Sequence, residues 1–238
     1  MTLLVKKLIK KIISLVPLSF VERYTLVRLG YYSVSYSQFG EDMVLRDLFN
    51  SQKNGFYVDV GAHHPERFSN TYWFYRRGWS GINIDATPGS MREFDRKRPR
   101  DTNIETAVSE KQGELTFFTF EKGSFNTLSK EVSVKQVKAN QKIKKEVKVK
   151  SNRLENILRQ YMPPNQEINF MSIDAEGMDL EVLKSNDWQK YKPKVIAIEE
   201  SGFDLENPGR SQIFSYLKER GYKLIRSTGK TIFFIHSN

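Results

Sequence analysis

The sequence predicts an α/β fold built on a mostly parallel sheet, and two further observations limit the number of domains and the chemistry of the chain. From Ser37 onward, short β-rich runs alternate with amphipathic helical patterns, which is typical of strand–helix–strand units. A chain of 238 residues, 39% of them apolar, can bury one sizeable core. It has no cysteine, which excludes disulfides, cysteine-ligated metals and thiol nucleophiles. We therefore predict one domain over residues 37–238, preceded by a separate segment over residues 1–36.

Residues 3–16 have the pattern of a cationic amphipathic helix that ends near Pro17. The apolar stripe consists of Leu4, Val5, Leu8, Ile9, Ile12, Ile13 and Val16, and the other side carries Lys6, Lys7, Lys10 and Lys11. These lysines interrupt the apolar region that a signal peptide needs, so we expect a cytoplasmic protein. The helix is predicted to lie on the inner face of an anionic membrane, to dock on a partner, or to pack on its own domain.

Predicted strands and helices alternate along the rest of the chain. Ser37 is expected to cap a first helix with Glu41 and Asp42 in its first turn. Strands are predicted over residues 56–60, 81–85, 103–108, 114–120, 168–174 and 194–200, followed by an antiparallel hairpin over 222–226 and 231–235. Further helices are predicted from Pro88 after a Thr87 cap, after a Ser151 cap, and over residues 178–183 and 213–220.

Residues 130–150 stand out because they contain eight lysines and two glutamates. This composition is typical of a solvated insertion or an edge strand. The whole chain carries a formal net charge of +10, which favours an anionic partner or surface.

Acidic residues recur where the predicted strands end. In open α/β sheets, ligands bind outside the carboxyl ends of the strands, where the strand order reverses. The residues at these ends are Asp59 with Gly61, Asp85, Ala107 with Val108, Asp174 with Glu176, and Glu199 with Glu200. An acid beside a buried strand costs desolvation free energy unless it has a partner. We therefore predict a small-molecule site at this edge of the sheet.

The spacing of these residues favours an adenosine cofactor without phosphates. Asp85 follows Gly61 by 24 residues, close to the spacing at which an acid receives ribose hydroxyls. The G-x-G-x-x-G pattern of dinucleotide sites is absent, because His63 and His64 occupy the turn, and there is no P-loop. S-adenosylmethionine fits this description, and its positive sulfonium and amino groups suit a site rich in carboxylates.

Several motifs follow one another at fixed spacings along the chain. They are Ser37-Gln38-Phe39-Gly40-Glu41-Asp42, Gly55-Phe56-Tyr57-Val58-Asp59-Val60-Gly61-Ala62-His63-His64-Pro65, Ser69-Asn70-Thr71, Gly78-Trp79-Ser80-Gly81-Ile82-Asn83-Ile84-Asp85 and Ile173-Asp174-Ala175-Glu176-Gly177. Together they resemble the FkbM family of S-adenosylmethionine-dependent methyltransferases. The resemblance runs from about Ser37 to the end of the chain. It implies a class I methyltransferase sheet of seven strands and O-methylation, often of a sugar or polyketide-derived hydroxyl.

The resemblance also implies a set of site residues. The positions matched to the cofactor are Gln38, Glu41, Asp59, Gly61, Asp85 and Asp174, and Ala107 joins them at the end of the third strand. Asp85 corresponds to the ribose acid, and Asp174 to the fourth-strand residue that faces the methyl group. His63 departs from the wider D/E-x-G-x-G pattern, but histidine tolerates a positive φ better than β-branched residues.

Methyl transfer to a hydroxyl needs a base or a metal, because a hydroxyl is barely acidic. For a metal, Asp174, Glu176 and Glu199 form an all-oxygen set that selects Mg, Ca or Mn. Glu199 and Glu200 point to opposite faces of a strand, so at most one of them reaches a ligand. For a base, His64 is the candidate imidazole. As alternatives, Asp174 and Glu176 could cap the next helix, and His64 could fold back on a backbone carbonyl.

Three functions are compatible with these features. The leading hypothesis is an O-methyltransferase for a sugar hydroxyl in a glycan, polysaccharide or lipid-linked saccharide, with the basic N-terminal helix at the membrane. The second is an RNA methyltransferase that binds its substrate through residues 130–150. The third is a non-catalytic adaptor of a membrane or a complex, built on the same fold.

Overall fold

The computed structural model describes residues 33–237 of the chain. The helix predicted over residues 3–16 lies outside this range, and the division of the chain near residue 36 stays a prediction. In the part that is described, there is no helix with the length and apolar character needed to cross a bilayer.

A seven-stranded sheet forms the centre of the fold. Its strands are β1 (Phe56–Val60), β2 (Ser80–Asp85), β3 (Thr102–Glu105), β7 (Phe170–Ile173), β8 (Val195–Glu199), β9 (Tyr222–Thr228) and β10 (Thr231–His236). Their order is β3-β2-β1-β7-β8-β10-β9, and β10 runs antiparallel to both of its neighbours. The predicted seven-stranded, mostly parallel sheet with a closing hairpin is therefore confirmed. The strand order reverses between β1 and β7, which is where an open α/β sheet binds ligands.

Helices cover both faces of this sheet. The helices of residues 33–237 are α1 (Glu41–Leu48), α2 (Tyr72–Tyr75), α3 (Met91–Lys97), α4 (Lys130–Lys138), α5 (Leu154–Tyr161), α6 (Asp179–Lys184) and α7 (Gln212–Lys218), with 3-10 turns at Gly123–Phe125 and Pro208–Arg210. Because side chains alternate along β1, Val58 packs with α5, α6 and α7 on one face, and Tyr57 packs with α1 and α2 on the other. Coverage of both faces explains why the central parallel strands are continuously buried.

Smaller predictions of helix boundaries are corrected. The helix predicted from Pro88 begins only at Met91, because residues 87–90 form a turn. Ser151 does not cap α5; it lies in a strand, and the first amide of α5, on Leu154, donates instead to the Ser185 hydroxyl at 3.1 Å. The N-cap of α1 is Gly40 rather than Ser37, although the Ser37 hydroxyl accepts the amide of Asp42, in the first turn of α1, at 3.2 Å.

A smaller sheet is inserted between β3 and β7. It consists of β4 (Ala107–Val108), β5 (Gly113–Phe120) and β6 (Ile143–Asn152) in the order β4-β6-β5. The predicted third strand is therefore broken, with its last two residues paired to β6. The lysine-rich stretch is not an edge strand, because it forms α4 and then β6, the middle strand of this sheet. We refer to residues 113–152 as the insertion.

Candidate active site

A cavity of about 1070 Å³, counted with its open mouth, lies at the carboxyl ends of the central strands. It contains eight of the predicted site residues, namely Gln38, Glu41, Gly61, Asp85, Ala107, Asp174, Glu176 and Glu199. Gln38 and Glu41 come from the start of α1 and the segment before it, and Ala107 comes from β4. The others lie at the carboxyl ends of β1, β2, β7 and β8, which the main sheet brings to one edge. Glu200 faces away from it, and its carboxylate accepts the Ser211 hydroxyl at 2.7 Å.

Gly61 allows the ends of β1 and β7 to approach each other. Its φ is +81°, and a Cβ at this position would lie 1.8 Å from the carbonyl oxygen of Asp174. The two ends are joined by the amide of Asp174, which donates to the Val60 carbonyl at 2.9 Å. Glycine is therefore required here for backbone packing.

Asp85 forms the acidic group at one end of the cavity. One of its oxygens accepts the backbone amide of His63 at 2.9 Å, and the other accepts that of Thr87 at 2.8 Å. His63 has a φ of +53°, so the histidine does adopt the conformation that a glycine would favour here. A carboxylate has about four acceptor positions, so Asp85 keeps acceptor capacity for a ligand such as a ribose diol.

Glu41 connects the segment before α1 to the end of the main sheet. It is 3% exposed, and its carboxylate accepts the Phe39 amide at 2.8 Å and the Thr231 hydroxyl at 3.3 Å. Gln38, just before this turn, lines the cavity. The contacts of Glu41 hold this wall in place.

Asp174, Glu176 and Glu199 form a cluster of carboxylates at the other end of the cavity. One oxygen from each lies within 4.8 Å of those of the other two. Among residues 33–237, Oδ1 of Asp174 is buried without a hydrogen-bond partner. The Nζ atom of Lys230 lies 3.6 Å from the Glu199 carboxylate and supplies a single positive charge. We call these three carboxylates the acid cluster.

Burial and repulsion between carboxylates raise the pKa values of Asp174 and Glu176. Burial, followed by the charges of Glu199 and Glu176, raises the pKa of Asp174 well above its usual value. Burial and the charge of Glu199 raise the pKa of Glu176 to about 8. An all-oxygen set with a buried, unpartnered oxygen fits a hard divalent cation such as Mg²⁺, Ca²⁺ or Mn²⁺.

A fourth carboxylate, on Asp179, organises the loop that carries Glu176. It accepts the amides of Ala175 at 2.9 Å and Gly177 at 3.1 Å, and burial raises its pKa to about 6. Asp179 thus satisfies the amides before α6, which is the role that the capping alternative gave to Asp174 and Glu176. Glu176 itself has a φ of +48°, and its carbonyl accepts the Thr127 hydroxyl of the insertion at 2.7 Å.

The structure does not support His64 as a catalytic base. Its Nδ1 accepts the backbone amides of Glu66 and Arg67, both at 3.0 Å, and it is not among the residues that line the cavity. On its other side, Nε2 lies 3.7 Å from the Glu93 carboxylate. Burial lowers the pKa of His64. The imidazole therefore stabilises a turn. It does so by accepting backbone amides, and not through the backbone carbonyl that the alternative hypothesis proposed.

Asp59, which was predicted to contact the cofactor, does not line the cavity either. Alternation along β1 directs it to the face of Tyr57, where it accepts the Thr71 hydroxyl at 2.7 Å. Burial raises its pKa to about 6. Asp59 thereby positions the loop of Asn70, which does line the cavity and donates to the Ser172 hydroxyl at 3.0 Å.

Several cavity residues were missed from the sequence. Asn70 lies within a quoted motif, so its position was a usable signal. The sequence contains no signal for the part of the cavity wall that the insertion supplies, because this part forms by tertiary packing. It consists of Phe117, Gly123, Ser124, Asn126, Thr127 and Leu128. The rim carries two aromatic side chains, Phe39 and Phe68, which are 50% and 56% exposed.

The fold and the site together define a class I methyltransferase that uses S-adenosylmethionine as its methyl donor. A family model described as the methyltransferase FkbM domain matches residues 59–224, which is more than half of the chain. The chain therefore belongs to the FkbM methyltransferase family, and the resemblance seen in the sequence is confirmed.

Other comparisons are distant. No curated protein sequence matches that of this chain. One similar solved structure is a TehB-like SAM-dependent methyltransferase from Corynebacterium glutamicum, with 8% identity, a TM-score of 0.45, and coverage of 92% of this chain and 97% of that one. Another is an O-methyltransferase from Bacillus cereus in complex with SAH, with 11% identity, a TM-score of 0.37, and coverage of 92% of each chain. Similarities of this size carry no argument about the acceptor.

Proposed function

We propose that this methyltransferase transfers the methyl group to a hydroxyl of a sugar in a glycan, polysaccharide or lipid-linked saccharide, assisted by a divalent cation at the acid cluster. The observation that carries the proposal is the placement of two different acidic sites in one cavity. Asp85 is suited to an adenosine, and Asp174, Glu176 and Glu199 lie within 4.8 Å of one another at the other end.

The reaction defines what the cluster must do. The hydroxyl oxygen attacks the methyl carbon in line with the carbon–sulfur bond, whose electron pair stays on sulfur, and the hydroxyl proton must leave. When bound, a divalent cation would lower the pKa of an acceptor hydroxyl, as it does for water. A carboxylate that uses one oxygen to hold a cation keeps a second oxygen to accept this proton. We assign that step to Asp174, which directly follows β7.

The walls of the cavity support a polyhydroxylated acceptor. The exposed rings of Phe39 and Phe68 offer flat apolar surfaces at the rim, which suit the apolar faces of a sugar ring. Asn70, Ser124 and Asn126 supply polar groups among the lining residues. A mixture of aromatic surface and a few polar groups is typical of pockets that orient a small polar molecule.

Transfer of labelled methyl groups from S-adenosylmethionine to a panel of saccharides tests the proposal. We expect label in the saccharide, its loss with a chelator, and its recovery when Mg²⁺ or Mn²⁺ is added. The Glu199→Gln variant should bind S-adenosylmethionine like the wild type and transfer little. Label found in RNA instead, or transfer that a chelator leaves unchanged, would contradict the acceptor class or the cation respectively.

We further propose that residues 3–16 hold the enzyme peripherally at an anionic membrane. The pattern of four lysines opposite an apolar stripe supports this proposal. Reversal of the four charges, in the K6E, K7E, K10E and K11E variant of the full chain, should reduce its co-sedimentation with anionic vesicles. Equal sedimentation of variant and wild type would contradict it.

A further inference from the structure

The insertion exposes apolar and basic side chains around the turn that joins α4 to β6. Val134, Val137 and Ile143 are 46%, 47% and 39% exposed, although their side chains are aliphatic. The surface consists of these three residues with Lys138, Lys142 and Lys144, which are also exposed, and we call the six residues the basic tip.

The backbone brings the six residues together. Val137 and Lys138 lie three and four positions after Val134 in α4, so they share a face of the helix with it. At the end of α4, Asn140 has a φ of +60°, and the amide of Gln141 donates to the carbonyl of Gln136 at 3.0 Å. These contacts turn the chain sharply. Lys142, Ile143 and Lys144 directly follow this turn, so they start next to the C-terminal end of α4.

A different face of α4, the one that carries Val132, packs on the loop of the acid cluster. A Cβ on Gly177 would lie 2.5 Å from a methyl group of Val132. Gly177 directly follows Glu176, whose carbonyl accepts the Thr127 hydroxyl. The same helix thus contacts the loop of the acid cluster with one face and carries the basic tip on another.

Charge and chemistry limit what could cover the basic tip. Residues 130–150 contain eight lysines and two glutamates. The same surface on a second copy of the chain would therefore repel the basic tip, and so would the lysines of residues 3–16. One of the two glutamates, Glu131, is paired with Lys135 at 2.8 Å. Single-stranded nucleic acid is held largely by stacking on aromatic rings, whereas the tip offers valine and isoleucine.

We propose that the basic tip docks on the surface of an anionic phospholipid bilayer. Aliphatic side chains enter the boundary between headgroups and acyl chains, and the surrounding lysines contact lipid phosphates. Docking places α4, and the acid cluster behind it, next to the bilayer. The proposal concerns a surface outside the cavity and does not depend on the identity of the acceptor.

Vesicle co-sedimentation of the full chain tests the proposal. The probes are vesicles of phosphatidylcholine with and without phosphatidylglycerol, at about 0.1 M salt. The K138E, K142E and K144E triple variant should bind the anionic vesicles at least about tenfold more weakly than the wild type. A matched control, K53E, K192E and K223E, makes the same change in net charge at exposed sites elsewhere and should have a smaller effect. Val134→Ser with Ile143→Ser should weaken binding without any change in charge.

Binding through residues 3–16 must not hide the effect, so the same variants are also compared in the background of K6E, K7E, K10E and K11E. The proposal is overturned if tip and control variants bind alike in both backgrounds. It is also overturned if the tip variants lose affinity for RNA while their affinity for anionic vesicles is unchanged. Because the readout is sedimentation, it stays informative even if no saccharide is methylated.

Discussion

Both ends of the cavity carry carboxylates, but the carboxylates at the two ends have different hydrogen-bond partners. At one end, both oxygens of Asp85 accept a backbone amide. At the other end, the acid cluster has one nearby lysine, and Oδ1 of Asp174 has no hydrogen-bond partner within residues 33–237. The comparison teaches that a carboxylate held by amides is suited to bind neutral hydroxyls, whereas crowded carboxylates need a cation.

Substitution of Gly61 should disturb both ends of the cavity and have the largest effect on the free energy of unfolding. A Cβ would meet the carbonyl of Asp174 at 1.8 Å, so Gly61→Ala should lower the free energy of unfolding by about 3 kcal/mol or more. Gly89→Ala is the control, because Gly89 has a similar φ of +82° but nothing within 4 Å. Its cost should be about 1 kcal/mol. Urea unfolding measures both, and equal costs would contradict the packing explanation.

Separate substitutions at the two ends should separate their ligands. Asp85→Ala should weaken S-adenosylmethionine binding by about 10- to 100-fold, because hydrogen bonds to a charged group are lost. Glu199→Gln should weaken Mn²⁺ binding by about 100-fold. Each variant should leave the other ligand's affinity nearly unchanged in calorimetry. If both variants lost both ligands, the two ends would not be independent sites.

The acid cluster should make the metal-free protein sensitive to pH. The folded state raises the pKa of Glu176 from 4.5 to about 8, so it keeps a proton that the unfolded chain has lost. The free energy of unfolding should therefore fall between about pH 5 and pH 8, by up to about 1.4 kcal/mol per pH unit for one proton.

Chelated protein, unfolded by urea at several pH values, measures this slope. Glu176→Gln should make it shallower by the share of one proton, because Asp59, Asp174 and Asp179, whose pKa values are also raised, still contribute. Added Mg²⁺ should restore stability at the upper end of the range. A slope that Glu176→Gln leaves unchanged would show that another group is responsible.

The smallest expected effect concerns the contact between Thr127 and Glu176. Loss of the hydroxyl in Thr127→Val should weaken Mn²⁺ binding by about fivefold, corresponding to one hydrogen bond of about 1 kcal/mol. Thr127→Ser keeps the donor and should restore the affinity. S-adenosylmethionine binding should not change in either variant. If valine and serine behave alike, the hydrogen bond does not position Glu176.

The sequence allowed the prediction of residues whose position follows from strand topology. Parallel strands end at one edge, so Asp85, Asp174 and Glu199 could be expected together. Asp59 could not be placed in the same way, because the alternation of side chains along β1 sends it to the other face. The contacts of His64 could not be read from the sequence, because its turn brings two amides to Nδ1.

The insertion shows the limit of local patterns more clearly. Its lysines alternate with valines that pack against Phe117, so the charged composition concealed a middle strand. The contact of Thr127 with Glu176 joins residues 49 positions apart, and no periodicity reports such a distance along the chain. The lysine-rich composition of the insertion reflects its exposed side and gives no information about the side that lines the cavity.

The contact between Glu41 and Thr231 joins residues 190 positions apart across the main sheet. Because β10 runs antiparallel and is placed between β8 and β9, its first residues return to the edge where Glu199 ends β8. A chain that is emerging from the ribosome therefore cannot close this cavity until residue 231 has been synthesised. A translation product that stops earlier would carry most of the sheet and still have no complete binding site.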